Sequence, residues 1–311
     1  MVRFARYAWG VLVYNLAVVL WGAFVRATGS GAGCGNHWPL CNGEVTPHGP
    51  TLKTVIEFTH RASSAIDLLL VAGLVLWAFH AFPRKHAVRR GAVLSAVFLL
   101  TEALLGAALV LLKHVADNAS VSRVYSLSAH LVNTLALLAF LTLTAWWAGG
   151  HAPVRQRGQA LWTAAAALLT VVVVGITGAI AALGDTLFPA ASLGAGLAQD
   201  FDPASNVILR LRGLHPALAG LVGACVLLYA ITRAVENPRV KKLGYGVALV
   251  VAAQVGAGLV NLVLLAPVWM QMVHLLLADL LWIALVLLCA SPDRGPERAG
   301  TYSPRRSYRE E

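Results

Sequence analysis

Charge is scarce in this sequence. Only 12% of its 311 residues are charged and only 14 are acidic, against about a quarter charged in a soluble globular domain. The chain is 58% hydrophobic, with mean hydropathy +0.71. It cannot hide that much apolar surface by folding on itself in water, which excludes a soluble enzyme. A disordered chain is excluded on the same ground. Cysteine is sparse too: four residues exclude a disulfide-rich scaffold, and no Cys-x-x-Cys pair offers a thiolate metal site. The 28 glycines follow no three-residue period, so a collagen-like fibre is excluded. Acids are outnumbered by 24 lysines and arginines, giving a formal net charge of +10. In this context the excess reads as a membrane-orientation signal, and no nucleic-acid partner is expected.

What is present is a set of long apolar runs. A helix needs roughly 20 apolar residues to cross the hydrocarbon core. Eight runs qualify, at about 8–28, 54–80, 91–113, 123–147, 160–183, 207–233, 243–265 and 269–290. They are continuous rather than alternating, so the predicted fold is an all-α membrane protein of eight transmembrane helices rather than a barrel. With the N-terminus cytoplasmic, 17 of the 24 lysines and arginines fall in inner segments. Both termini are therefore expected in the cytoplasm, with the chain in the cell membrane among lipids. The first run reads as an uncleaved helix, and 291–311 as a disordered cytoplasmic tail.

The two halves share landmarks. Gly106-Ala107-Ala108-Leu109-Val110 resembles Gly256-Ala257-Gly258-Leu259-Val260, and Gly22-Ala23-Phe24 resembles Gly178-Ala179-Ile180. His60 precedes His215 by 155 residues, and His130 precedes His274 by 144. This order predicts two parallel four-helix repeats, 1–148 and 149–290, related by a pseudo-twofold axis along the membrane normal.

Of ten histidines, His37, His48, His80, His86, His114 and His151 fall in loops or at helix ends. The other four lie one on each even-numbered span, roughly 8–12 Å from its outer end at the helical rise. Intramembrane ionisable groups are costly and usually functional. One such histidine could be a satisfied polar group at a helix contact; four at matched depth, two per half, predict two haem sites with paired imidazole ligands. Both sites lie in the outer half of the membrane, which disfavours straight transmembrane electron transfer. Arg61, Arg26, Arg212 and Arg210, with Arg123 and Lys53 nearby, are candidates for haem propionates. Interfacial snorkelling is the plainer account of any one of them.

Glu57 sits three residues before His60 on one helix face. It could act as a base or orient a ligand, or simply pair with Arg61 four residues on. Arg212 stands three before His215, so the two sites are chemically unequal. Asp67, Glu102 and Asp279 also fall inside spans. Cys34 and Cys41 lie in the first outer loop, where their spacing permits an exposed local disulfide, structural or redox-active. Cys225 and Cys289 read as packing thiols.

The chain resembles the heme A synthases over about 280 residues. The resemblance rests on Val25-Arg26-Ala27-Thr28-Gly29-Ser30-Gly31 followed by Cys34, on Trp38-Pro39-Leu40-Cys41-Asn42-Gly43, and on Glu57-Phe58-Thr59-His60-Arg61. His130, Thr177-Gly178, Leu183-Gly184-Asp185-Thr186, His215-Pro216 and His274 continue it. It implies oxidation of the C8 methyl of heme O to a formyl group by successive hydroxylations. It implies that His60 and His130 hold the substrate heme O, that His215 and His274 hold a permanent heme b cofactor, and that Glu57 is the catalytic carboxylate. It further implies that Cys34 and Cys41 assist electron or haem handling, that heme O synthase supplies the substrate, and that the product serves oxidase assembly. The second cysteine pair of many family members, in the third outer loop, is absent. An iron with two histidine ligands has no open position for oxygen, so the sequence alone does not choose a chemical route. A diheme b-type electron-transfer protein without substrate chemistry, or a transporter on the same repeat, would use the same four histidines. The electron partner and self-association are left open.

Overall fold

The structure is a computed structural model and describes residues 2–153 and 156–292. The expected tail therefore lies, from residue 293 onward, outside the described residues. The described residues form ten helices: α1 (Val2–Ala27), α2 (Leu52–Ala81), α3 (Ala87–Leu111), α4 (Val121–Ala148), α5 (Gly158–Leu187), α6 (Leu193–Phe201), α7 (Val207–Arg212), α8 (Leu214–Glu236), α9 (Lys241–Val263) and α10 (Val268–Cys289). Eight spans are long and apolar enough to cross a membrane, with α7 and α8 forming one of them. Each coincides with a predicted run to within a few residues. The chain is a multi-pass membrane protein.

Two features were not predicted. The short helix α6 lies in the connection between α5 and α7, started by the Ser192 hydroxyl, which accepts from Ala195 N–H. The sixth span is broken at Gly213. Pro216 has no N–H to give the Arg212 carbonyl four residues back, and its ring crowds that carbonyl, so the helix yields just before His215.

Within α1–α4, α1 packs on α2, α2 on α3, α3 on α4 and α4 back on α1. The last four spans repeat the circuit: α5 on α7 and α8, α8 on α9, α9 on α10 and α10 on α5. The two rings meet through α1 and α4 on one side and α5 and α10 on the other. Trp282 Nε1 on α10 donates to the Leu135 carbonyl on α4 across this seam, at 2.7 Å.

The connections 28–51, 112–120, 188–206 and 264–267 lie at one end of the bundle, called here the loop end. The largest fully apolar clusters sit toward the opposite end. Phe4, Leu74, Leu138 and Leu141 centre one; Ala230, Val247, Leu285 and Leu288 centre the other. Phe4 also meets Trp77 and Phe82 edge-on, with ring centroids 5.6 and 5.0 Å apart. Cys289 is buried as predicted, whereas Cys225 is exposed on α8 and does not pack inside.

Candidate functional site

At the loop end the 28–51 connection folds onto α2. Asn42-Gly43 forms a tight turn, both residues with positive φ (54° and 86°). The turn is closed by Cys41 N–H to Glu44 O at 2.9 Å and Glu44 N–H to Cys41 O at 3.0 Å. It brings Cys41 back to Cys34, and the two form a disulfide. Both cysteines are buried, at 0% and 1% exposure, so the expectation of an exposed disulfide is corrected. Gly33 lets this strand of loop approach α2: a Cβ there would collide with the backbone of Lys53 and Thr54. On the open face of the loop, His48 donates to Glu44 and holds that carboxyl below its ordinary range.

Three residues of α2 hold the loop. The Thr54 hydroxyl donates to Gly33 O at 2.9 Å. Glu57, 3% exposed, accepts Cys34 N–H on Oε2 at 2.8 Å and Arg61 on Oε1 at 2.6 Å. Arg61 also donates to the carbonyls of His37 and Leu40, both at 2.7 Å. The i, i+4 pair of Glu57 and Arg61 is therefore present and does more than pair, because it fastens the disulfide loop to the helix that carries His60.

The four intramembrane histidines share one packing device. Each ring lies against a glycine of the preceding span. A Cβ built at Gly22 would lie 2.9 Å from His60 Cε1; at Gly178, 3.0 Å from His215 Cε1; at Gly258, 3.0 Å from His274 Cε1; and at Gly106, 3.8 Å from His130 Cε1. The string resemblance pairs Gly106 with Gly256; in space its counterpart is Gly258. All four rings are half-buried. His215 and His274 face one another with centroids 6.5 Å apart and planes at 80°.

The His215 and His274 rings are spaced to fit a haem iron. A metal–nitrogen bond is about 2 Å long, and each nitrogen lies roughly 1.1 Å from its ring centre, so two imidazoles across one metal have centroids roughly 6 Å apart. The His215–His274 separation matches that span. The remaining nitrogens are disposed unequally. His215 Nδ1 meets the Thr177 hydroxyl at 3.1 Å. His130 Nδ1 has the Glu102 carboxylate 3.7 Å away. Nδ1 of His60, His130 and His274 are buried with no hydrogen-bond partner. Gln254 Nε2 lies 3.3 Å from His274 Nε2, a contact with no sequence signal beforehand.

The arginines go mainly to protein acceptors. Arg26 donates to Ala182 O at 2.7 Å, Thr186 Oγ1 at 2.9 Å and Gln271 Oε1 at 3.0 Å, tying α1 to α5 and α10. Arg212 is paired with Asp200 at 2.7 Å and Asp185 at 3.2 Å, and also donates to Gly196 O and Gln199 Oε1. The cation expected beside His215 is thus neutralised, partly by α6, which sequence reasoning missed. Arg123 donates to Ala116 O and Asn118 O in the α3–α4 connection. Arg210 is exposed. Among the other span acids, Asp67 is fully buried and accepts from Asn15 Nδ2 at 2.5 Å, while Asp279 Oδ2 is buried without a partner.

Comparison with known proteins places this arrangement. The cytochrome oxidase assembly protein family matches residues 5–286. The chain belongs to that family. Among similar proteins, one named protoheme IX farnesyltransferase, from Thermus thermophilus, is 49% identical over 269 residues, covering 85% of this chain and 44% of that protein. A heme A synthase of Exiguobacterium sp. is 38% identical over 96 residues, 31% of this chain and 32% of its own. One from Bacillus mycoides is 44% identical over 95 residues, 30% of each. The chain thus spans less than half the length of the first relative and aligns with about a third of the others.

Proposed function

We propose that this chain is a heme A synthase that oxidises the C8 methyl of heme O to a formyl group by successive hydroxylations. The observation that carries the reading is the fourfold histidine-on-glycine contact, with the His215 and His274 rings at a separation suited to a single iron. Family membership and the partial alignments to proteins named heme A synthase support it. The matching packing circuits of the two sets of four spans support a duplicated, parallel architecture with units 1–148 and 149–290. The lysine and arginine distribution supports cytoplasmic termini in the plasma membrane, which puts the loop end and all four histidines toward the outer face.

In this reading His60 and His130 hold the substrate, and His215 and His274 hold heme b, whose iron supplies one-electron redox chemistry. Gly22, Gly178 and Gly258 let the imidazoles approach the neighbouring helix closely, and Gly106 backs His130 at ordinary contact. The Thr177 hydroxyl fixes the His215 ring by its Nδ1. Glu57 is the carboxylate of the substrate site. It is coupled to the disulfide through Cys34 N–H, so rearrangement of the Cys34–Cys41 loop would free an oxygen of Glu57 near His60. The substrate supplier is a heme O synthase. The Thermus relative supports this, because it bears a farnesyltransferase name and has more than half its length beyond the region matched here.

The test is expression with a supply of heme O, followed by pigment extraction and mass analysis. Heme A should accumulate. Glu57→Ala should abolish it while leaving the haem on His215 and His274 bound. Unmodified heme O alone, with electron donors active, would reject the synthase in favour of a diheme carrier.

A further inference from the structure

The two α-helical pairs that end each set of spans carry different chemistry behind their histidines. On α3, Glu102 stands four residues before Gly106, the glycine that backs His130. On α9, Gln254 stands four before Gly258, which backs His274. The same place in the packing thus holds a carboxylate in one set and a carboxamide in the other.

Glu102 is held firmly. Its Oε2 accepts from Asn133 Nδ2 at 2.6 Å, and its Oε1 takes the Thr134 hydroxyl. Asn133 is itself fixed by Phe98 O at 2.8 Å and by the Thr101 hydroxyl at 2.5 Å. Oε1 is also the atom 3.7 Å from His130 Nδ1, a nitrogen that is buried with no hydrogen-bond partner. A carboxylate inside a membrane span is costly, and helix-to-helix adhesion alone would be served by an amide.

We propose that Glu102 is a positioning residue for His130: its Oε1 accepts a hydrogen bond from Nδ1–H when Nε2 binds iron, and so makes His130 the most electron-donating of the four ligands. This rests on the haem reading above. Coordination through Nε2 leaves the proton on Nδ1, facing the carboxylate, and a small ring rotation closes the gap. A negatively charged acceptor raises the basicity of the imidazole and favours ferric iron. By contrast, His215 Nδ1 meets only the neutral hydroxyl of Thr177, and His274 Nδ1 has no hydrogen-bond partner, Gln254 lying against its Nε2 instead. The first haem site is therefore biased to a lower reduction potential than the second.

The experiment is a redox titration of the full chain with haem bound, followed by visible absorption and by electron paramagnetic resonance of the ferric form. The wild-type chain should show two bis-histidine components. Glu102→Gln keeps the size and the anchors of the side chain. It should shift one component toward easier reduction by about tenfold in its equilibrium constant, 59 mV for one electron, with haem content and the other component unmoved. Equal movement of both components, movement of neither, or loss of the first haem from a folded protein would each overturn the proposal. Should Glu102→Gln fail to fold, Thr134→Val decides. It removes the hydroxyl that competes for Oε1 and leaves the carboxylate a freer acceptor for Nδ1–H, so it should move the same component by a smaller amount toward harder reduction; no movement, or movement toward easier reduction, overturns the proposal. A wild-type chain without two bis-histidine haems would overturn the haem reading as well, which separates the two failures.

Discussion

Four glycines decide where four imidazoles lie, and they do not constrain them equally. Gly178→Ala would put a methyl 3.0 Å from His215 Cε1, whereas Gly106→Ala would meet His130 at 3.8 Å, an ordinary contact. Gly178→Ala should therefore weaken haem binding at the His215–His274 site by roughly 10–100-fold, and Gly106→Ala should leave haem content unchanged. Haem per protein, measured on purified material by the pyridine-adduct spectrum, checks both. The histidines themselves were legible in the sequence, because a polar ring within a 20-residue apolar run stands out. Their backing glycines were only half legible: a string match found Gly22, Gly106 and Gly178 but chose Gly256 over Gly258, since one-dimensional similarity carries no helical phase. Buried acids show the same limit. Asp67 was noticed, but its partner Asn15 lies 52 positions away on another helix. Asn15→Leu would strand that carboxyl and should lower stability by roughly 0.6–2 kcal/mol, seen as a lower melting temperature in detergent.

At the scale of elements, run length and hydropathy gave all eight spans, with the first starting six residues too late and the other ends within about four, because a lipid-crossing helix has to satisfy its own backbone and to be about 20 residues long. Hydropathy did not reveal the break at Gly213, since an average over some 20 residues stays apolar across it while the hydrogen-bond ladder fails locally. Pro216→Ala would restore a donor to the Arg212 carbonyl and let α7 run into α8. The fold should tolerate it, with a melting temperature equal to or above that of the parent. His215 should be redirected, and the absorption of its haem should fall. The short helix α6 was missed for a related reason: nine residues are too few to register as periodic, although it supplies Asp200 to Arg212. The Cys34–Cys41 bond was readable from spacing; its burial was not, because burial depends on Gly33 admitting the loop onto α2.

At the scale of the molecule, the two sets of spans are joined by a few polar ties across an otherwise apolar seam. Arg26 reaches both α5 and α10, so Arg26→Ala leaves the Gln271 and Thr186 oxygens without that donor. It should cost about 1.5–3 kcal/mol and lower the melting temperature in detergent. The two largest buried apolar clusters lie away from the loops, around Phe4, Leu74, Leu138 and Leu285, and the histidines stand outside them. Pigment is thus not the keystone of this bundle. On the proposed reading the scaffold can therefore be completed in the bilayer before any porphyrin reaches it.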